Sequence, residues 1–209
     1  MKTNNTMASS MLRLIILSIT LATILAGCVW DKPQKSWQRQ AAEKAYAELD
    51  GAKDDGQRAE IRDYIKALLS LEKSGDPDKQ FTQGRTLLMM AVIRNDKEMV
   101  ERLLSLDVYA DVDIADENGN TPLIASCEKD NTEIARMLIN AGAGVNLQNK
   151  KGMSALMACA LNGNKATVRD LMIAGANRFL KDKAGYLVGD YAGRGNHVDM
   201  ISYISSFQY

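Results

Sequence analysis

An all-α solenoid of stacked helix pairs is the fold class predicted by this 209-residue sequence, and three observations predict it. The first is a glycine register at Gly84, Gly119, Gly152 and Gly185, spaced by 35, 33 and 33 residues. A fixed period of this length marks repeated supersecondary units that bury their apolar faces on one another. The second is what travels with the glycines: Thr86, Thr121 and Ser154 two residues on, and Leu88, Leu123 and Leu156 four residues on, drifting to Leu187 and Gly189 in the last unit. The third is the helical spacing of apolar residues later in each unit: Val100, Leu103, Leu104; Ile134, Leu138, Ile139; Val168, Leu171, Met172; Ile201, Ile204.

Taken in order, residues 1–27 read as an address. A polar stretch with Lys2 and Arg13 leads into Leu14–Ile24, an apolar run ending in small residues, the layout of a secretory signal. The run falls short of the roughly 20 apolar residues of a spanning helix. Leu25-Ala26-Gly27-Cys28 comes directly after it and resembles the lipobox of bacterial lipoproteins. That resemblance implies acylation of Cys28 and cleavage in front of it, and Val29, where an Asp would favour inner-membrane retention, implies the outer membrane facing the periplasm. Residues 28–35 form a tether whose eight or so residues reach only ~26 Å fully extended, holding the folded part of the chain close to the bilayer.

Residues 36–81 contain two helical patterns, Trp37 to Leu49 and Gln57 to Leu71, separated by the breaker Asp50-Gly51…Asp54-Asp55-Gly56 and ended by Gly75-Asp76-Pro77. They lack the Gly-x-Thr signature and read as an N-terminal cap. Residues 82–209 hold four repeats, the last degenerate and capping. Terminal repeats need a polar outer face, because nothing covers them.

Within the repeats, Asn118-Gly119-Asn120-Thr121-Pro122-Leu123 resembles the ankyrin signature, and each residue type has a mechanical reason. Gly makes the turn, Thr caps the first helix and Pro at the first helical position gives up no needed N–H. Small residues seven after each glycine (Ala91, Ser126, Cys159, Ala192) let paired helices approach, and Asn95, Asp130, Gly163 and Asn196 eleven after tolerate a left-handed turn. Gly142-Ala143 and Gly175-Ala176 close two repeats in the ankyrin manner, while Asp107-Val108-Tyr109-Ala110 makes the first longer. The resemblance implies helix-turn-helix units joined by short β-hairpin turns.

Little in the chain suggests chemistry. The single His197 stands beside an inter-helix turn, as in ankyrin repeats, and no G-x-S-x-G elbow accompanies it. Cys127 and Cys159 lack a second ligand pair for zinc, and a helix separation of ~8–10 Å exceeds the ~7 Å limit for disulfide Cα atoms. Two buried free thiols are expected, with a disulfide the alternative in an oxidising periplasm. Met89 and Met137 look like core filler. No catalytic residue, metal or cofactor is expected.

Ankyrin partners are held by the hairpin tips and the ends of the first helices. Carried over, this implies Thr82, Gln83, Arg85, Ile93 and Arg94 in the first repeat, and Glu117, Asn118, Asn120, Glu128 and Lys129 in the second. The third gives Lys150, Lys151, Met153, Leu161 and Asn162; the fourth gives Lys183, Tyr186 and Arg194. Seven of these are basic and two acidic, so the face sums to 7 − 2 = +5. The whole chain has 26 basic and 26 acidic residues; without Lys2 and Arg13 the remainder has 24 against 26, or −2. That balance argues against nucleic acid bound by bulk charge and points to an acidic protein partner. Lipobox and short ankyrin array together resemble immunity lipoproteins that neutralise phospholipase effectors of type VI secretion systems. The second expectation is a scaffold or maturation partner of an envelope enzyme.

Overall fold

A computed structural model describes residues 35–105 and 110–207. Cys28 and the signal segment, and most of the longer loop at Asp107–Tyr109, lie outside the described residues. Ten helices are described: α1 (Lys35–Gly51) and α2 (Asp55–Ser74), then four pairs, α3 (Leu87–Ile93) with α4 (Lys97–Leu104), α5 (Pro122–Glu128) with α6 (Thr132–Asn140), α7 (Ala155–Leu161) with α8 (Lys165–Ile173), and α9 (Val188–Arg194) with α10 (Val198–Ser205). The all-α solenoid is as the glycine register predicts.

Local sequence explains several of the starts and stops. Asp54 caps α2 by accepting the Gln57 amide at 2.7 Å, and Gly75 ends it in the left-handed conformation at φ 69°. The oxygens of Thr86, Thr121 and Ser154 accept the amides of Met89, Ile124 and Met157, capping α3, α5 and α7. Leu187 has no oxygen for this; instead the Asp190 carboxylate reaches back to accept the Leu187 amide at 2.7 Å. The drifted repeat thus keeps half of the cap. Between paired helices, Asn95, Asp130, Gly163 and Asn196 take φ of 56°, 58°, 75° and 61°, as their residue types predict.

The hairpin turns are tighter than β-hairpins. Among the described residues none forms a strand; Gln148 and Ser154 make an isolated antiparallel bridge. Each turn is closed by two backbone bonds, such as Asp116 N–H to Asn120 O at 2.9 Å and Gly119 N–H to Asp116 O at 2.8 Å. Four or five residues per turn leave no length for a ladder.

The core runs along the stack, with Leu88, Leu103, Leu123, Ile134, Leu138, Leu156 and Leu171 almost fully buried. Met89 is buried and Met137 half-buried. Second helices are strapped by ion pairs at repeat spacing: Lys97 with Glu133, Arg136 with Asp170 at 2.9 Å, and Lys165 with Asp199 at 2.5 Å. Such exposed pairs contribute ~0–1 kcal/mol each, so burial dominates.

Two expectations are corrected. Cys127 and Cys159 form a disulfide, with Cα atoms 4.8 Å apart. The ~8–10 Å separation is measured between helix axes, and Cα atoms that stand ~2.3 Å off each axis and face one another come within about 4–5 Å. The last repeat is also less polar at its end than a cap was expected to be. Ile201 is 41% exposed where Ala135 and Val168, its counterparts, are fully covered by the following repeat. What lightens this end is glycine: Gly189 replaces the buried leucines, and Gly193 stands where Val92, Cys127 and Ala160 are buried.

Candidate partner-binding face

The tips are built by an acid or amide three residues before each glycine. Asp116 Oδ1 accepts the amides of Asn118 (2.9 Å) and Asn120 (2.8 Å), Asn149 Oδ1 those of Lys151 (2.9 Å) and Met153 (3.0 Å), and Asp182 Oδ1 those of Ala184 (2.9 Å) and Tyr186 (2.8 Å). In the first repeat Phe81 holds this position and cannot accept. Successive tips are then joined by one backbone bond each: Glu117 N–H to Gln83 O (2.9 Å), Lys150 N–H to Asn118 O (2.9 Å) and Lys183 N–H to Lys151 O (3.0 Å).

This contact explains the glycines beyond the turn they make. A Cβ at Gly119 (φ 76°) would come within 2.9 Å of the Lys150 nitrogen, and one at Gly152 (φ 80°) within 2.7 Å of the Lys183 nitrogen. The neighbouring tip could not approach a side chain there.

The expected contact residues come together along this row. Thr82, Gln83, Glu117, Asn118, Lys129, Lys150, Lys151, Leu161, Lys183, Tyr186 and Arg194 are exposed; Ile93, Asn120 and Met153 are half-buried. Ile93, Glu128, Leu161 and Arg194 end the four first helices and share one register. Some have internal duties that the sequence did not suggest. Asn120 Oδ1 accepts the Asn149 amide group at 2.8 Å, and Asn162 donates to the carbonyls of Cys127 (2.8 Å) and Glu128 (3.2 Å).

The even +5 face is corrected at its first repeat. Arg94 pairs with Glu48 of α1, and its guanidinium lies 4.7 Å from the centre of the Tyr64 ring. Arg85 stands 3.8 Å from Glu60 of α2. Both are only partly exposed, so the N-terminal helix pair takes up two of the seven cations. By contrast, among the described residues Lys129, Lys150, Lys151 and Lys183 form no ion pair within 4.0 Å.

Electrostatics reflect the arrangement. Loss of solvation and then the Asp116 carboxylate push the Glu128 carboxyl above its ordinary range, against the pull of Lys151 and Lys129. At the fourth tip, Arg194 stacks 3.8 Å from the Tyr186 ring centre, and the Tyr191 hydroxyl donates to Asp182 Oδ2 at 2.7 Å. Desolvation acts to raise the Asp182 carboxyl. The Tyr191 hydroxyl, the Tyr186 and Ala184 amides and Arg194 together outweigh it and hold the group below its usual range. Tyr191 is pushed up to about 12 by burial and by Asp182.

A family model for ankyrin repeats in three copies matches residues 58–149, and one for a single ankyrin repeat matches residues 151–183. The chain belongs to the ankyrin-repeat family. The match begins inside α2, upstream of the first glycine of the register, and stops before α9, where that register drifts. The chain is also similar to delta-latroinsectotoxin-Lt1a of Latrodectus tredecimguttatus, 29% identical over 86 residues, which cover 41% of this chain and 7% of that protein. Ankyrin repeats are protein–protein interaction modules, and the tip row is this chain's candidate interface. Among the described residues, no group of three His, Cys, Asp or Glu side chains could hold a metal ion.

Proposed function

We propose that this chain is a lipid-anchored envelope protein whose ankyrin tip face binds and neutralises another protein, with a secreted phospholipase toxin as the best-fitting partner. The observation that carries the binding role is the row of backbone-linked tips presenting Lys129, Lys150, Lys151 and Lys183, none of them held in an ion pair among the described residues. Rigid tips lose little entropy on docking, and uncommitted cations suit an acidic partner. Leu161, Met153 and Tyr186 supply apolar contacts among the charges. The Cys127–Cys159 disulfide supports export, since such bonds persist in oxidising compartments such as the periplasm. Leu25 to Cys28 supplies the anchor, and tethering raises the local concentration of an inhibitor at the membrane under attack.

The test compares the full chain with Cys28→Ser in a bacterial host. Membranes should retain the first and release the second, and crosslinking of the full chain should capture a phospholipase that the purified protein inhibits at equimolar ratio. Unchanged membrane attachment of Cys28→Ser would refute the anchor. Capture of an envelope oxidoreductase or other enzyme that keeps its activity in the complex would replace neutralisation with a scaffold role.

A further inference from the structure

We infer that the binding face is dipolar along the stack and reads a protein segment of matching charge order, with a basic side chain at the α2 end and acidic groups over the third and fourth tips. The inference rests on the protein-binding reading and adds the polarity of the partner. It starts from a cleft of about 510 Å³ between the first turns of α2 and the first tip. Asp54, Glu60 and Asp63 line one side and Arg85 and Arg94 the other, over a floor that includes Met90 and Ile93.

The two arginines do not make this cleft basic. Arg94 is committed to Glu48 and to the Tyr64 ring, while Arg85 faces Glu60 across 3.8 Å, looser than a hydrogen-bonded pair. Asp54 uses one carboxylate oxygen on the Gln57 amide, and Asp63 lies 3.3 Å from Lys66, which is mostly exposed. The Glu60 carboxylate, 56% exposed, is the group left best placed to receive a ligand. A Lys or Arg entering here would lay its apolar stem along Met90 and Ile93 while its charge reached Glu60. An acidic side chain would meet three carboxylates against the single loosely held guanidinium of Arg85.

The opposite sign prevails at the other end. Lys150, Lys151, Lys183 and Arg194 are exposed there, with the Arg194 guanidinium 3.8 Å from the centre of the Tyr186 ring. With roughly 10 Å between stacked helices, the first tip lies about 20–30 Å from the third and fourth. An extended segment of about six to nine residues spans that distance. One short stretch of a partner can therefore touch both ends, and only one charge order satisfies both.

The test uses the Cys28→Ser chain and two fluorescein-labelled synthetic peptides of about twelve residues. Both carry the same run of Asp and Glu at one end; one carries Lys-Arg at the other end and the second carries Gln-Ser there. Fluorescence anisotropy at low salt should show the Lys-Arg peptide bound about two- to fivefold tighter, the weight of a well-made exposed ion pair. Glu60→Lys should erase that preference while keeping affinity for the Gln-Ser peptide. Lys150→Glu with Lys151→Glu should weaken both peptides, and circular dichroism melts would confirm that both variants fold. Equal binding of the two peptides, binding of neither, or a preference that survives Glu60→Lys overturns the charge order. Each of those results leaves the protein-binding reading to the crosslinking experiment, which does not depend on which end of the face is acidic.

Discussion

Cys127 and Cys159 join the first helices of adjacent repeats through a disulfide whose Cα atoms lie 4.8 Å apart. They are 32 residues apart, one short of the 33-residue period between Gly119 and Gly152. That missing residue decides the geometry. Cys127 stands eight after its glycine, a position that faces the next repeat, and Cys159 stands seven after its own, a position that faces the preceding one. A separation of one full period would have put the two thiols on the same side of successive helices.

Because the bond closes a 32-residue loop, chain entropy assigns it roughly 3–4 kcal/mol of stability, gained by restricting the unfolded chain. Both cysteines are buried, so reductant reaches them through local or global opening. Urea melts with and without dithiothreitol should differ by a large part of that amount, and Cys127→Ala with Cys159→Ala should melt like the reduced protein. Two free thiols titrated in the unreduced, unfolded Cys28→Ser chain would show that the bond does not form.

The repeat architecture was legible because its parts recur: turn glycines, capping Thr and Ser, left-handed Asn and Asp, and helical apolar spacing all keep one period. The tip clamps keep it too. Asp116, Asn149 and Asp182 are 33 residues apart, a recurrence as regular as that of the glycines they precede. Arg85 and Arg94 were another matter. Their acids, Glu60 and Glu48, lie on helices outside the register, so the pairing depends on how α1 and α2 dock, and no repeated position announces it. The charge of the face was therefore overcounted at the one end where non-repeat elements pack against it.

Leu138 tests the core. It lies in α6, fully buried between neighbouring helix pairs. Leu138→Ala removes its contacts and leaves a cavity, and should cost about 2–5 kcal/mol. A shift below ~0.5 kcal/mol in denaturant melts would mean that the stack closes over the site far better than a close-packed interior does.

Asp182 gives the fourth tip a pH dependence. Its carboxyl lies below the ordinary range in the folded chain, so its contribution is fully present above the unfolded value of about 4 and is lost as pH falls through the folded one. In that window the unfolded chain binds more protons, and stability rises with pH. Asp182→Asn keeps an oxygen for the Tyr186 and Ala184 amides but cannot titrate. The loss of urea midpoint between pH 7 and pH 3 should therefore be smaller in the variant than in the wild type, all other carboxylates being common to both. Equal losses would mean that the tip hydrogen bonds do not favour the ionised form.

The glycines of α9 carry the last prediction. Gly189 and Gly193 lie inside a seven-residue helix, where each lowers stability by roughly 0.5–1 kcal/mol relative to alanine through the backbone freedom it loses on folding. A Cβ at Gly189 would find its nearest neighbour, the Ile201 Cγ2, at 3.9 Å, and one at Gly193 would find nothing within 4 Å. Neither residue has the positive φ that would make a side chain costly. Gly189→Ala and Gly193→Ala should each stabilise the chain by roughly 0.5–1 kcal/mol, nearly additively, since both positions have room for a methyl group. Alanine also adds little apolar surface, so the protein should stay soluble, whereas Gly189→Leu would restore the side chain of the interior repeats beside the exposed Ile201. Thermal melts of the three variants, with sedimentation velocity alongside, make the comparison. Stabilised monomers for both alanine variants, and concentration-dependent association for the leucine variant, are expected if glycine serves here to strip apolar surface from the end of the solenoid. Destabilisation by either alanine would mean that α9 needs its glycines for a close backbone approach instead.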